Sequence, residues 1–296
     1  MRKTKVAVIG VGYLGEFHAQ KYYKSKIADL IGIVDTNINR CNEISKKVKA
    51  IHVPDVKYSP NGVPLLSDLF TKANEIASHD LLMFINADII LPINFLDVIN
   101  PLYKKLRRFL MVGHRWDMEV DYFINFNDKS KIKSFWKNAQ NNSKKHACTG
   151  IDYFIFRKET FKNLPDFAIG RPGYDNWLLW HARRRMLQLI DASSEIHAIH
   201  QNHHFNFHNL HNNPKIKDRN NIPEEEDGIR NRTIIGKNHL NLLDTNYFIS
   251  NGIIKRKRSM DYVNRNLGKL SVIFPEISLL FKIYKKIYRR LFLVSG

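Results

Sequence analysis

Gly10-Val-Gly12-Tyr13-Leu14-Gly15 is a complete G-x-G-x-x-G placed directly after an apolar run. The three glycines act differently. Gly10 permits a tight turn, Gly12 lets the backbone approach a pyrophosphate, and Gly15 lets a helix pack close to a strand. Tyr13 and Leu14 then begin a helix whose free N–H groups and positive dipole end would face a phosphate. Asp35 follows Gly15 by twenty residues and could accept hydrogen bonds from ribose hydroxyls. A second group of acids and imidazoles lies further on. Asp88 sits just beyond the apolar run Leu81–Ile85, where an α/β sheet puts its ligands; it could ligate a hard cation or merely cap the next turn. Asp175 stands in a glycine-rich loop that opens a helix, and as a bland alternative it would be that helix's N-cap. Five imidazoles fall between His200 and His211, with His200 and His203 as candidate metal contacts.

The elements that must position these residues are legible in outline. Lys5–Ile9 reads as a buried strand, about 13–24 as a helix, Leu30–Asp35 as a second strand and about 39–46 as a helix, which makes a β-α-β unit. Leu65–Ala77 has helical spacing, Asp80–Ile85 is a strand, and Phe95–Leu106 is a helix. Phe109–Gly113, Gly150–Phe156, Gln188–Asp191 and Ile196–His200 read as strands, with a helix over 176–185. Residues 209–232 are polar and read as a loop or lid, followed by a short helix over 231–243. The fold class expected is α/β: a mostly parallel sheet flanked by helices, with a basic helical tail.

Composition narrows the function. The chain has 296 residues, with 47 Lys+Arg against 28 Asp+Glu, a net charge of +19. Such an excess favours an anionic partner. Residues 253–290 hold eleven basic residues and two acids, so much of the charge belongs to the tail. Within 276–294, Ile277, Leu280, Ile283, Tyr284, Ile287 and Leu291 recur at helical spacing among lysines and arginines. That pattern suits either a helix packed on the core or a basic amphipathic helix in peripheral contact with an anionic membrane. No DNA- or RNA-binding motif is present, which argues against nucleic acid. The N-terminus lacks a signal-peptide pattern and there are two cysteines, Cys41 and Cys148, without a CxxC pair; a cytoplasmic protein is expected, with possible attachment to the inner membrane face.

Two resemblances follow. Val6-Ala-Val-Ile-Gly-Val-Gly-Tyr-Leu-Gly-Glu-Phe-His-Ala-Gln20, with Val34-Asp35, resembles the start of the Gfo/Idh/MocA oxidoreductases over about residues 1–48. The resemblance implies NAD(P) binding at Gly10–Gly15. Members of that family carry a Glu-Lys-Pro motif whose lysine serves catalysis, and no Glu-Lys-Pro occurs here.

Over about 50–208 the order of Val53-Pro-Asp-Val56, Ile85-Asn-Ala-Asp-Ile-Ile90, Val112-Gly-His-Arg-Trp-Asp117, Asp152-Tyr-Phe-Ile-Phe156, Phe167–Trp177 and Ala198–His203 resembles the nucleotide-diphospho-sugar transferase (GT-A) fold. That resemblance implies a glycosyltransferase using a divalent Mn²⁺ or Mg²⁺, a nucleotide-sugar donor and a glycan or other hydroxyl acceptor. It gives Asp88 and His200 or His203 to the metal, Asp175 to deprotonation of the acceptor, and Arg115 and Arg171 to the phosphates. The expected organisation is a nucleotide-binding segment over 1–50, a transferase-like domain over 51–212, and a loop with a basic tail over 213–296. On this reading the opening β-α-β joins one continuous sheet and serves the sugar-nucleotide. The alternatives are an NAD(P)-dependent oxidoreductase, and an inactive fusion that binds anionic surfaces.

Overall fold

The computed structural model describes residues 4–9, 13–24, 28–34, 38–48, 51–53, 55–122, 124–126, 128–202, 226–277 and 283. Gly10, Gly12, Asp35 and His203 lie outside the described residues, as does nearly all of the amphipathic segment 276–294.

The chain begins with β1 (Thr4–Ile9), α1 (Tyr13–Lys24), β2 (Ala28–Val34), α2 (Ile38–Val48) and β3 (Ile51–His52). β1 and β3 both pair parallel to β2, giving a three-stranded sheet in the order β1-β2-β3. Ala19, Leu30, Ile33, Cys41 and Ile44 form its core, because the apolar positions of α2 recur at i and i+3 and face the strands. Glu16 ties the two helices together through Lys47 at 2.7 Å and through Arg40. The hydrogen bond from Lys47 leads the effects that hold the Glu16 carboxyl below its usual range.

The rest of the chain adds α3 (Leu66–Ile76), β4 (Leu81–Ile85), β5 (Ile89–Ile90), α4 (Phe95–Tyr103), β6 (Phe109–Val112), β7 (Arg115–Met118), α5 (Lys129–Asn142), β8 (Lys144–Lys145) and β9 (Tyr153–Arg157). It continues with α6 (Tyr174–Arg184), β10 (Gln188–Asp191), β11 (Ala198–Gln201), α7 (Glu226–Ile235), β12 (Tyr247–Ser250), β13 (Ile253–Arg256) and α8 (Met260–Ile273). A six-stranded mixed sheet runs β13-β12-β10-β6-β9-β4, and a four-stranded sheet runs β5-β11-β7-β8. β6 and β9 are near-continuous apolar runs because both faces of the central strands are covered. Phe84, Phe154, Phe156, Trp177 and Leu189 pack on one face of the six-stranded sheet, and Phe109, Met111, Tyr153, Ile155 and Ile190 on the other.

The expected α/β class is what the chain adopts, with three departures from the finer reading. β1 belongs to its own sheet with its own core, so it does not extend the sheet that contains Leu81–Ile85. Helix α6 starts at Tyr174, and its N-cap is Gly173 at φ 102°, so Asp175 lies in the first turn and is not the cap. A side chain at Gly173 would be strained by this φ, and an added Cβ 2.1 Å from Cδ1 of Ile235 would force that side chain to shift. Finally, α7 covers 226–235, starting within the stretch expected to be loop, and the helix expected over 231–243 ends at Ile235. The physical reason is that α7 is anchored by polar residues. Asp227 accepts from Ser59 Oγ at 2.8 Å, and Asn231 both accepts from and donates to the backbone of Ala168. Hydropathy spacing does not register such anchors.

Candidate functional site

The carboxyl ends of β4 and β6 meet the start of β9 at one edge of the six-stranded sheet, since β9 runs antiparallel to both and Ile85 pairs with Tyr153. Asp152, just before β9, is buried there. Its two carboxylate oxygens are both engaged: Asn86 Nδ2 donates to Oδ1 at 2.6 Å and Arg115 Nη1 to Oδ2 at 3.0 Å. The backbone N–H of Asn86 also donates to the Asp152 carbonyl at 2.9 Å. Burial pushes the Asp152 carboxyl above its usual value; Arg115 opposes this and the charge of Asp88 adds to it.

Strand order brings in the remaining groups. β11 lies between β5 and β7, and His200 pairs in register with Ile89 on one side and Asp117 on the other. Asp88 immediately precedes β5, and its carbonyl accepts from the N–H of Gln201 at 2.9 Å. His200 Nε2 therefore reaches Asp88 Oδ2 at 3.4 Å, while its Nδ1 lies 3.2 Å from Asp117 Oδ1. Alternation along β7 puts Arg115 and Asp117 on one face, with Arg115 Nε 3.1 Å from Asp117 Oδ1. His146 Nδ1 closes the web at 2.5 Å from Asp117 Oδ2. Burial lowers the affinity of His200 for a proton, but the hydrogen bond and charge of Asp88 outweigh it and leave the imidazole above its usual pKa.

Asp175 joins this web through its field. Burial, opposed by backbone N–H donors and reinforced by the charge of Asp152, pushes its carboxyl up to about 6. Buried Tyr174 beside it is raised by desolvation and then by the charges of Asp175, Asp152 and Asp88. The expected site residues Asp88, Asp175, His200 and Arg115 thus share one neighbourhood. Arg171 lies on the loop before α6, where its Nη1 donates to the Gly170 carbonyl at 3.4 Å and its own carbonyl accepts from Asn231. Tyr13, Leu14 and Gly15 form the first turn of α1, as expected, directly after the Gly10–Gly12 connection from β1. Asp117, Asp152, His146 and Tyr174 carry no role that the sequence pattern assigns. The Arg115/Asp117 spacing on a strand is the available signal for one of them; His146 and Asp152 are brought in only by strand pairing.

The metal expectation finds no support among the described residues, and His203 lies outside them. Among the described residues, no three of His, Cys, Asp and Glu are arranged to hold a metal ion. Asp88 and His200 contact each other, Nε2 to Oδ2 at 3.4 Å. His181 and His197 act as packing rings: His181 stacks on Trp177 with centroids 4.7 Å apart and is driven by burial to about 4, and His197 stacks on Trp116 at 4.1 Å. Among the described residues, no helix is long and apolar enough to cross a membrane.

Residues 4–74 match the family model described as an oxidoreductase family, NAD-binding Rossmann fold. Over 56 residues the chain is 42% identical to a UDP-N-acetylglucosamine 3-dehydrogenase of Acidithiobacillus ferrooxidans, a stretch that covers 19% of this chain and 17% of that protein. A crystal structure of a mycobacterial protein aligns with a TM-score of 0.42 and 13% identity, covering 69% of each chain. The N-terminal unit, a parallel three-stranded sheet with two helices, is therefore similar over residues 4–74 to the NAD-binding Rossmann fold of that oxidoreductase family.

These findings overturn the transferase reading. The sequence matches fall on an NAD-binding oxidoreductase fold and a sugar-nucleotide dehydrogenase, not on a glycosyltransferase. The β1-β2-β3 sheet is closed by its own helices, so the glycine loop is not the missing nucleotide half of the second sheet.

Proposed function

We propose that this chain is an NAD(P)-dependent oxidoreductase acting on a hydroxyl group of a sugar or sugar-nucleotide. The observation that carries the reading is the match of residues 4–74 to the NAD-binding fold, laid over an intact β1-α1-β2 crossover whose glycine connection enters α1 at Tyr13. The residues fit the group: Gly10, Gly12 and Gly15 would admit the pyrophosphate at the helix N-terminus, and Asp35 would take the ribose hydroxyls. The sugar class comes from the dehydrogenase relative, which shares only the N-terminal stretch.

When bound, the dinucleotide supplies a hydride acceptor. The chain must then remove the hydroxyl proton as the carbonyl forms. In the absence of a Glu-Lys-Pro lysine, Asp175 takes this role, because its carboxyl is held near 6 and so is an ionised but still basic acceptor at neutral pH. Burial chiefly keeps Asp175 basic, the charge of Asp152 adds to it, and Arg115 holds Asp152 in place. Arg171, on the loop that leads into α6, would meet a phosphate of a sugar-nucleotide substrate.

Titration calorimetry of the full chain with NAD(H) and NADP(H), together with nicotinamide absorbance in the presence of UDP-sugars, tests the reading. Dinucleotide binding that Gly12→Val abolishes is expected. Absence of binding by any of the four dinucleotides would sink it.

A further inference from the structure

The opposite edge of the six-stranded sheet gathers cations. Arg107 and Arg108 precede β6, Arg157 ends β9 with Lys158 just after it, and Arg185 follows α6 on the way into β10. With Glu159, these residues line a cavity of about 160 Å³ that Thr160 and Leu187 complete. Five positive side chains thus face one carboxylate, and Glu159 is itself shared with Lys162. Asp80 pairs with Arg157 from outside the lining. Lys104 and Lys105 extend the positive charge just before Arg107.

The cations are held in place by backbone carbonyls, which orient them without cancelling their charge. Arg157 donates to Leu106 at 2.7 Å and Tyr103 at 2.9 Å, Arg185 to Thr160 at 2.6 Å, Lys158 to Ala77 at 2.9 Å, and Arg108 to Arg185 at 2.9 Å. A guanidinium has five N–H donors, so Arg108 and Arg185 keep donors for a further acceptor. The backbone is also forced here. Glu159 at φ 68° and Met186 at φ 56° are non-glycine residues in the left-handed region, and each sits between two residues that line the cavity. Strain of this kind persists where the surroundings hold a particular side-chain arrangement.

We infer that this cavity binds a small phosphate-bearing anion, at a site separate from the glycine loop. A phosphate monoester or inorganic phosphate offers the oxygens that paired guanidinium groups recognise, and its charge offsets the mutual repulsion of the five cations. The recognised group is the phosphate itself, since the lining offers cationic donors and only one apolar side chain, Leu187.

The experiment titrates the full chain with inorganic phosphate and with pyrophosphate at constant ionic strength, by calorimetry and thermal shift. Saturable binding of inorganic phosphate is expected, weakened tenfold or more by Arg107→Ala, less by Arg107→Lys, and unchanged by Lys133→Ala at an exposed position of α5. Loss of binding in Gly12→Val with retention in Arg107→Ala would place the phosphate at the glycine loop and overturn the inference. So would an effect that chloride reproduces at equal ionic strength. Binding to vesicles containing phosphatidic acid without any binding of soluble phosphate would overturn it as well.

Discussion

Nε2 of His200 stands 3.4 Å from Oδ2 of Asp88, although 112 residues separate them in the chain. The contact exists because β11 inserts between β5 and β7, which sets one imidazole between carboxylates from two neighbouring strands. The ion pair makes stability depend on pH in a definable direction. His200 binds its proton more tightly in the folded chain than in the unfolded one, so its contribution is complete below about 6.5 and fades as pH rises through the higher native value. Equilibrium denaturation from pH 5 to 8 should show this loss in the wild type. The same slope persisting in His200→Gln would show that His200 is not its source.

Asp175 gives a dependence of the same sign at lower pH. Its folded pKa of about 6 lies above the unfolded value, so the native state favours the neutral carboxyl and loses stability as pH rises from about 4 through 6. Asp175→Asn should therefore stabilise the chain at pH 7, on the order of 1–3 kcal/mol, and by little at pH 4. On the proposed reaction, the same change lowers turnover about 10²–10⁴-fold while leaving dinucleotide affinity unchanged. A wild-type rate profile without an acidic limb near pH 6 would remove Asp175 from the role of proton acceptor.

Gly113 and Tyr153 are coupled by a close approach. A Cβ at Gly113 would fall 2.0 Å from the Tyr153 hydroxyl oxygen and 3.2 Å from the backbone nitrogen of Ser193. The Tyr153 hydroxyl is buried and has no hydrogen-bond partner among the described residues. Gly113→Ala should cost about 1–3 kcal/mol, and Tyr153→Phe should be neutral or stabilising. The double variant should recover much of the loss, a coupling that urea denaturation of the cycle measures. Simple additivity would mean that the clash is relieved elsewhere.

Asn231 holds the loop that leads to Asp175. Its side chain accepts from the Ala168 N–H at 2.9 Å and donates to the Ala168 carbonyl at 3.0 Å, within the buried interface between α7 and that loop. Asn231→Ala leaves two backbone groups unsatisfied and should cost about 2–4 kcal/mol. Asn231→Asp should be comparably damaging, since it keeps the acceptor but loses the donor. Thermal denaturation of both variants provides the check; a change within 0.5 kcal/mol, roughly the range of an ordinary surface substitution, would contradict it.

Local pattern determined the elements far better than their assembly. The runs at 5–9 and 81–85, the spacing of Leu66, Phe70 and Ala73, and the glycine connection into α1 specify strands and helices because period and turn chemistry act over a few residues. They also pointed to Asp88 and Asp175, beside a strand end and a helix start, whereas Arg115 emerges only through a family resemblance and His200 through its histidine cluster. The sequence did not say that β1 would close a separate sheet, that α7 would be anchored by Asp227 and Asn231, or that Asp117 and Asp152 would complete the web. Those outcomes depend on which strand lies beside which, and hydrogen-bond pairing between strands far apart in the chain leaves no periodic trace in either one. Tertiary structure alone decides whether two carboxylates share one imidazole, because burial and charge separation exist only after the strands have met.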